Sequence, residues 1–149
     1  MCIGSGRRNF SLHGQAIDGS IGWAQNKDFD LLYRIFSADD LFIYHPDDAS
    51  TVTSLAEFKQ MGQDVWGNPA FKATSHEMRD LRINLSESGT VAWFSCYLDD
   101  FAEWDGRQVG WENVRWTGVL ELRDGQWTAV QMHFSFPTER MKPKAATEG

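Results

Sequence analysis

Apolar residues in the first third of the chain recur at three- and four-residue spacing, the period of one face of an α-helix. Leu12, Ala16, Ile17 and Trp23 set one stripe and Phe29, Leu32, Ile35 and Phe36 a second. Gly19 and Gly22 weaken the join, so two helical pieces are predicted. Ser37-Ala38-Asp39-Asp40 breaks the period, and Leu41-Phe42-Ile43-Tyr44-His45 reads as a short strand that Pro46 closes, because proline has no N–H to give a ladder. Ser54 with Glu57 three residues on is a capping box, and Leu55, Phe58, Met61 and Val65 fall on one face of the helix it opens. Gly67-Asn68-Pro69 stops that helix, and a loop over 67–76 is expected to follow.

From Glu77 onward the period changes to two. Strands are predicted over 77–85, 90–101, 108–122 and 126–136, with turn signals at Ser86-Glu87-Ser88-Gly89, Asp105-Gly106 and Asp124-Gly125. Helices first and antiparallel strands afterwards define an α+β domain, with the helices packed on one face of a meander. Alternation sorts the last three strands. One face collects Ala92, Phe94, Cys96 and Leu98, then Val114, Trp116, Gly118 and Leu120, then Val130, Met132, Phe134 and Phe136, and should meet the helices. The other holds Trp93, Ser95 and Tyr97, then Arg115, Thr117 and Glu121, then Gln131, His133 and Ser135, polar with aromatic anchors, which suits a subunit interface. Keeping both sets together requires hairpin loops with an odd number of residues, and the three-residue version is expected.

Composition narrows the function classes. The 149 residues fit one domain able to bury a core and a ligand cavity, and seven Trp with ten Phe predict aromatic walls. A net charge of −7 argues against a nucleic-acid partner, since Arg7-Arg8 and Lys142 with Lys144 lie near the ends. Residues 1–10 and 138–149 lack periodicity and are expected to be mobile tails flanking a domain at 11–137. Cys2 and Cys96 give no disulfide framework and no metal motif, and no stretch has the length of a membrane span; a cytoplasmic protein without cofactor or metal is expected.

Three segments carry a family likeness: Phe36-Ser37-Ala38-Asp39-Asp40 leading to His45-Pro46, Val91-Ala92-Trp93-Phe94, and Arg123-Asp124-Gly125-Gln126-Trp127 continuing to Gln131-Met132-His133-Phe134-Ser135. Together, over about residues 12 to 137, they resemble the SnoaL-like branch of the nuclear-transport-factor-2-like superfamily, which includes ketosteroid isomerases, polyketide cyclases and the association domain of calcium/calmodulin-dependent kinase. The resemblance implies a cone: N-terminal helices in the concave face of a strongly curved antiparallel sheet, a cavity inside, and pairing through the outer sheet face. In ketosteroid isomerases the residue before the proline that ends the first short strand is an aspartate acting as general base; His45 stands there, and an imidazole can do the same work. The resemblance places the oxyanion-holding tyrosine and protonated acid of those isomerases at Ile21 or Trp23 and at Thr117 or Gly118, where neither residue type stands, and the cavity arginines of the kinase domain at Leu98, Gly118 and Phe134.

The candidate catalytic pair is His45 with Asp47, Asp47 or Asp48 orienting the ring; the plainer reading is a strand-end histidine in a polar turn. Ligand contacts are expected from Trp23 and Trp66, the latter as a lid, and from Phe94, Cys96, Leu98 and Trp116 on the apolar face. Met132 and Phe134 complete that wall, and Glu112 faces inward near the mouth; each of these side chains equally suits a solid core or a solvated strand end. Trp93, Tyr97, Arg115, Gln131 and His133 form the interface set of a homodimer. Two functions follow: a small, largely apolar ligand bound in an internal pocket with isomerase- or cyclase-like proton transfer from a His base, or a non-catalytic association domain.

Overall fold

The structure, a computed structural model, describes residues 11–47 and 50–138; the expected tails apart from Thr138, the two basic pairs, Cys2 and Asp48 lie outside the described residues. Ser11 starts α1 (Leu12–Gly22) by accepting from Gly14 N at 3.2 Å, satisfying one of the amides a helix leaves free. A 3-10 turn, Trp23–Gln25, follows, and Asp28 caps α2 (Phe29–Ile35) through Leu31 N at 3.1 Å. After the short strand β1 (Phe42–Tyr44), Ser54 Oγ accepts from Glu57 N at 3.1 Å and opens α3 (Leu55–Met61). The Glu57 carboxylate turns to Thr53 N at 2.7 Å, so the reciprocal half of the box sits one residue earlier than the spacing predicts. The helix then widens into a π turn, Gly62–Trp66.

Four long strands follow: β2 (Phe71–Leu85), β3 (Val91–Trp104), β4 (Arg107–Arg123) and β5 (Gln126–Ser135). Residues 71–76, expected in a loop, are therefore already strand. Sheet order is β1-β5-β4-β3-β2, with β1 parallel to β5 and every other pair antiparallel. The two ends of that order stay unpaired to each other, so the helices rest on an open, curved sheet and not in a closed barrel.

The hairpin loops overturn the expected three-residue length. Trp104 pairs Arg107 and Arg123 pairs Gln126, so Asp105-Gly106 and Asp124-Gly125 are two-residue turns, and all four residues have φ between 50° and 82°, as the twist-matched hairpin turn requires. Such turns pair even with odd positions. Yet Cys96 pairs Trp116 and Trp116 pairs Phe134, even with even. A surplus residue in each hairpin makes the change: Glu112 and Asn113 together face Asp99, and Val130 stands between the partners of Leu120 and Val119. Strand β2 carries two further surplus residues, at Thr74 and at Asp80-Leu81.

Beyond these bulges the apolar face is continuous. Leu98, Val114, Trp116, Leu120 and Met132 are fully buried under the helices, each aliphatic one contributing about 1.5–3 kcal/mol by leaving water. Phe136, expected on that face, lies past the end of β5 and is exposed.

Candidate functional site

Between helices and sheet lies a cavity of about 200 Å³. Its floor is Leu32, Phe36, Ile43, Phe58 and Met132, all buried; its rim includes Phe71, Val109 and Gly110, of which the last two are exposed. Trp23 and Trp66 wall one side with ring centroids 5.7 Å apart. Trp111 and Phe134 wall another, 5.2 Å apart. Polar lining side chains are Ser20, His45 and Asp100, and the Ser20 hydroxyl is committed to Ile17 O at 2.7 Å.

His45 follows β1 and lies parallel to Phe134, with centroids 5.4 Å apart and 10° between the planes. Its Nδ1 is 2.7 Å from Ser50 O. A carbonyl oxygen only accepts, so Nδ1 carries the proton and Nε2 the lone pair. Burial lowers the pKa of this imidazole, against smaller opposing effects of Ser50 O and the Asp47 charge. The ring is thus held neutral, in the tautomer of a base. Ser50 O takes the orienting place expected of Asp47, which is exposed and reaches the ring through its charge.

Asp100 went unrecognised in the sequence. It pairs with Trp111 across β3 and β4, the Trp111 ring lies 5.8 Å from that of His45, and all three residues line the cavity. No hydrogen bond reaches the Asp100 carboxylate among the described residues, and burial pushes its pKa up to about 6, with the His76 charge opposing. His76 is the β2 partner of Asp100, and directly opposed residues share a sheet face. Its Nε2 lies 3.0 Å from Asp18 Oδ1 on α1, and that bond raises the imidazole pKa, so a cation is favoured. A Cβ at position 22 would come within 3.1 Å of the His76 ring, so Gly22 leaves the space in which the pair forms. Burial thus favours the neutral form of His45, pairing favours the charged form of His76, and the Asp100 carboxyl beside His76 is biased toward its protonated form.

Of the residues singled out in the sequence, Trp23, His45, Trp66, Met132 and Phe134 line the cavity. Phe94, Cys96, Leu98 and Trp116 are buried in packed core outside its lining. Trp116 stacks on Phe134 at 5.4 Å, and its Nε1 has no acceptor among the described residues. Burial raises the Cys96 thiol to about 12, so it stays protonated. Glu112, expected to face inward, is exposed, because the surplus residue beside it turns Trp111 into the cavity in its place. Trp93, Tyr97, Arg115 and His133 are exposed on the outer sheet face, with Gln131 half-buried among them. No three His, Cys, Asp or Glu converge as a metal set among the described residues, and no helix there is long and apolar enough to cross a membrane.

Residues 14–139 match the SnoaL-like domain, and the chain belongs to that family. No curated protein sequence matches it. Among solved structures, a candidate scytalone dehydratase from Novosphingobium aromaticivorans superposes with a TM-score of 0.70 at 14% identity, covering 88% of this chain and 93% of its own. A candidate ketosteroid isomerase from Shewanella frigidimarina gives 0.63 at 19% identity, with 84% and 95% covered. A candidate calcium/calmodulin-dependent kinase II association domain from Exiguobacterium sibiricum gives 0.68 at 7%, with 91% and 100% covered. At these identities the likeness establishes the NTF2-like fold.

Asp100 ties the site to stability. The folded chain keeps its proton up to about pH 6, whereas an unperturbed carboxyl releases it near 3.8, so stability falls as pH rises through that window and stays lower above it. Asp100→Asn should therefore stabilise the fold at neutral pH, by on the order of 2–3 kcal/mol, with the gain vanishing in acid below the lower pKa. Thermal melts of both proteins across pH check this; a gain that is absent at neutral pH or grows in acid contradicts it.

Proposed function

We propose that this protein binds a small, largely apolar carbonyl compound in the cavity and moves a proton next to its carbonyl group. His45 Nε2 takes the proton from carbon. Asp100, whose pKa of about 6 leaves the smaller fraction protonated at neutral pH, gives one from that fraction to the carbonyl oxygen or to a departing hydroxyl, and His76 with Asp18 supports the charge on that side. The observation that carries this reading is that His45, with its lowered pKa, and Asp100, with its raised one, line one aromatic-walled cavity together with Trp111. Proton abstraction beside a carbonyl opens both isomerisation and loss of water, and neighbours in fold are named for each. The test follows deuterium entering the α-carbon of 1-indanone from heavy water by NMR. His45→Ala should slow enzyme-dependent exchange about a hundredfold or more, and Asp100→Asn should slow it as well. Folded variants exchanging at the parent rate would end the proposal.

A second reading concerns assembly. Outer-face residues run in hydrogen-bonded rows across four strands: Trp93, Val119, Gln131 and Phe42 in one, Ser95, Thr117, His133 and Tyr44 in the next. Trp93, Tyr97 and Tyr44 are 46%, 38% and 47% exposed, a concentration of aromatic surface that a water-facing sheet does not need. We propose that a second copy covers this face, whether or not the cavity is catalytic. Light scattering should give a dimer for the parent chain and a monomer for Trp93→Glu. A parent monomer, or a variant that stays dimeric, contradicts it.

A further inference from the structure

We propose that the cavity selects neutral compounds of one or two rings bearing a carbonyl group and rejects carboxylates of the same skeleton. This names a substrate class for the proton-transfer site and rests on that reading. Size gives the first argument. An apolar cavity of about 150 Å³ takes benzene, and this one is about 200 Å³. At interior packing density it is filled by a molecule with a van der Waals volume of roughly 150 Å³, the scale of two fused rings. A longer skeleton must project past Val109 and Gly110 into water.

Shape gives the second argument. Trp23 and Trp66 on one side, with Trp111 and Phe134 on another, offer ring faces and edges to a flat guest.

Charge gives the third. The ionisable lining groups are His45 and Asp100, from the end of β1 and from β3. His45 holds its Nδ1 proton on Ser50 O and presents a lone pair. Asp100 brings negative charge without a hydrogen-bonded partner among the described residues, and the neighbouring His76 on β2 is already paired with Asp18 on α1. At the rim, Lys27 Nζ donates to Asn68 O at 3.0 Å and lies 5.7 Å from the centre of the Phe71 ring, outside the lining. A carboxylate entering here would thus be desolvated beside another carboxylate, with no uncommitted cation in the lining among the described residues to receive it. A neutral carbonyl meets no such penalty.

The experiment measures binding of 2-naphthamide, 2-naphthoate and progesterone to the full chain at neutral pH by calorimetry, with tryptophan fluorescence as a second readout. The first two probes share their shape and differ in charge; the third is a neutral ketone of four rings. Binding of 2-naphthamide should exceed that of 2-naphthoate and of progesterone by about tenfold or more. In Asp100→Asn the gap between the two naphthyl probes should narrow, because the buried negative charge is gone. Equal binding of the naphthoate, a gap unchanged in the variant, tightest binding of progesterone, or no binding of the naphthamide would each overturn the proposal. Selective binding without proton exchange would end the catalytic reading alone, whereas exchange without charge discrimination would end this one alone.

Discussion

The β3–β4 and β4–β5 hairpins each contain one residue more than a two-residue turn permits and β2 contains two, and the placing of that surplus decides which side chains meet the cavity. A two-residue turn after Trp104 puts Trp111 and Asp100 opposite one another, both inward. Without the bulge at Glu112-Asn113, the same alternation would send Val114 and Trp116 to water. The bulge is held from the outer side: Asn113 N donates to Asp99 Oδ1 at 2.8 Å, while Arg79 donates to Asp99 Oδ2 at 2.7 Å and to Asn113 Oδ1 at 3.0 Å. Arg79 and Asp99 are half-buried and Asn113 is exposed, so each bond is worth little alone; together they fix three strands around one irregular point. Similarly, Gln25 Nε2 donates to Thr74 O at 3.1 Å, at the surplus residue that lets His76 face the same way as Asp100.

The electrostatics around the cavity follow from that geometry more than from the residue types alone. His45 and His76 have the same side chain and opposite tuning. One is buried against Phe134 with a carbonyl on Nδ1, and desolvation favours its neutral form. The other meets Asp18, and the ion pair favours the charged form. Asp100 sits between these influences with an environment that favours its proton. The helices and the 3-10 turn complete the arrangement by supplying Asp18, Trp23, and Leu32 and Phe58 of the buried floor.

Much of the architecture was legible because periodicity is a local property. The helical stripes, the capping serine at Ser54, the Asp-Gly turns and the alternating runs around Phe94, Trp116 and Phe134 each announce themselves within a few residues. The position of His45 was legible too, from Pro46 and from the family likeness. Asp18, His76 and Asp100 were not, because their orientation depends on bulges that break the count. In β2 the inward residues run Phe71 and Ala73, then His76 and Met78, then Leu81 and Ile83, an order with no single period. A signal did exist: Asp80 and Asn113 have φ of 56° and 59°, a conformation in which Asp and Asn are enriched, so polar residues interrupting alternation were candidates for bulges. Adjacent Asp99 and Asp100 in a strand also require one carboxylate on the inner face unless the alternation breaks between them.

Burial and pairing push the pKa values of two histidines in opposite directions, His45 in the cavity lining and His76 beside Asp100. Following the ring nitrogens of His45 and His76 by NMR through a pH titration tests it directly. The account predicts that His45 titrates below the free imidazole value of 6.5 and stays protonated on Nδ1 when neutral, while His76 titrates above that value. Two histidines titrating together near the free value, or in the reverse order, would contradict it.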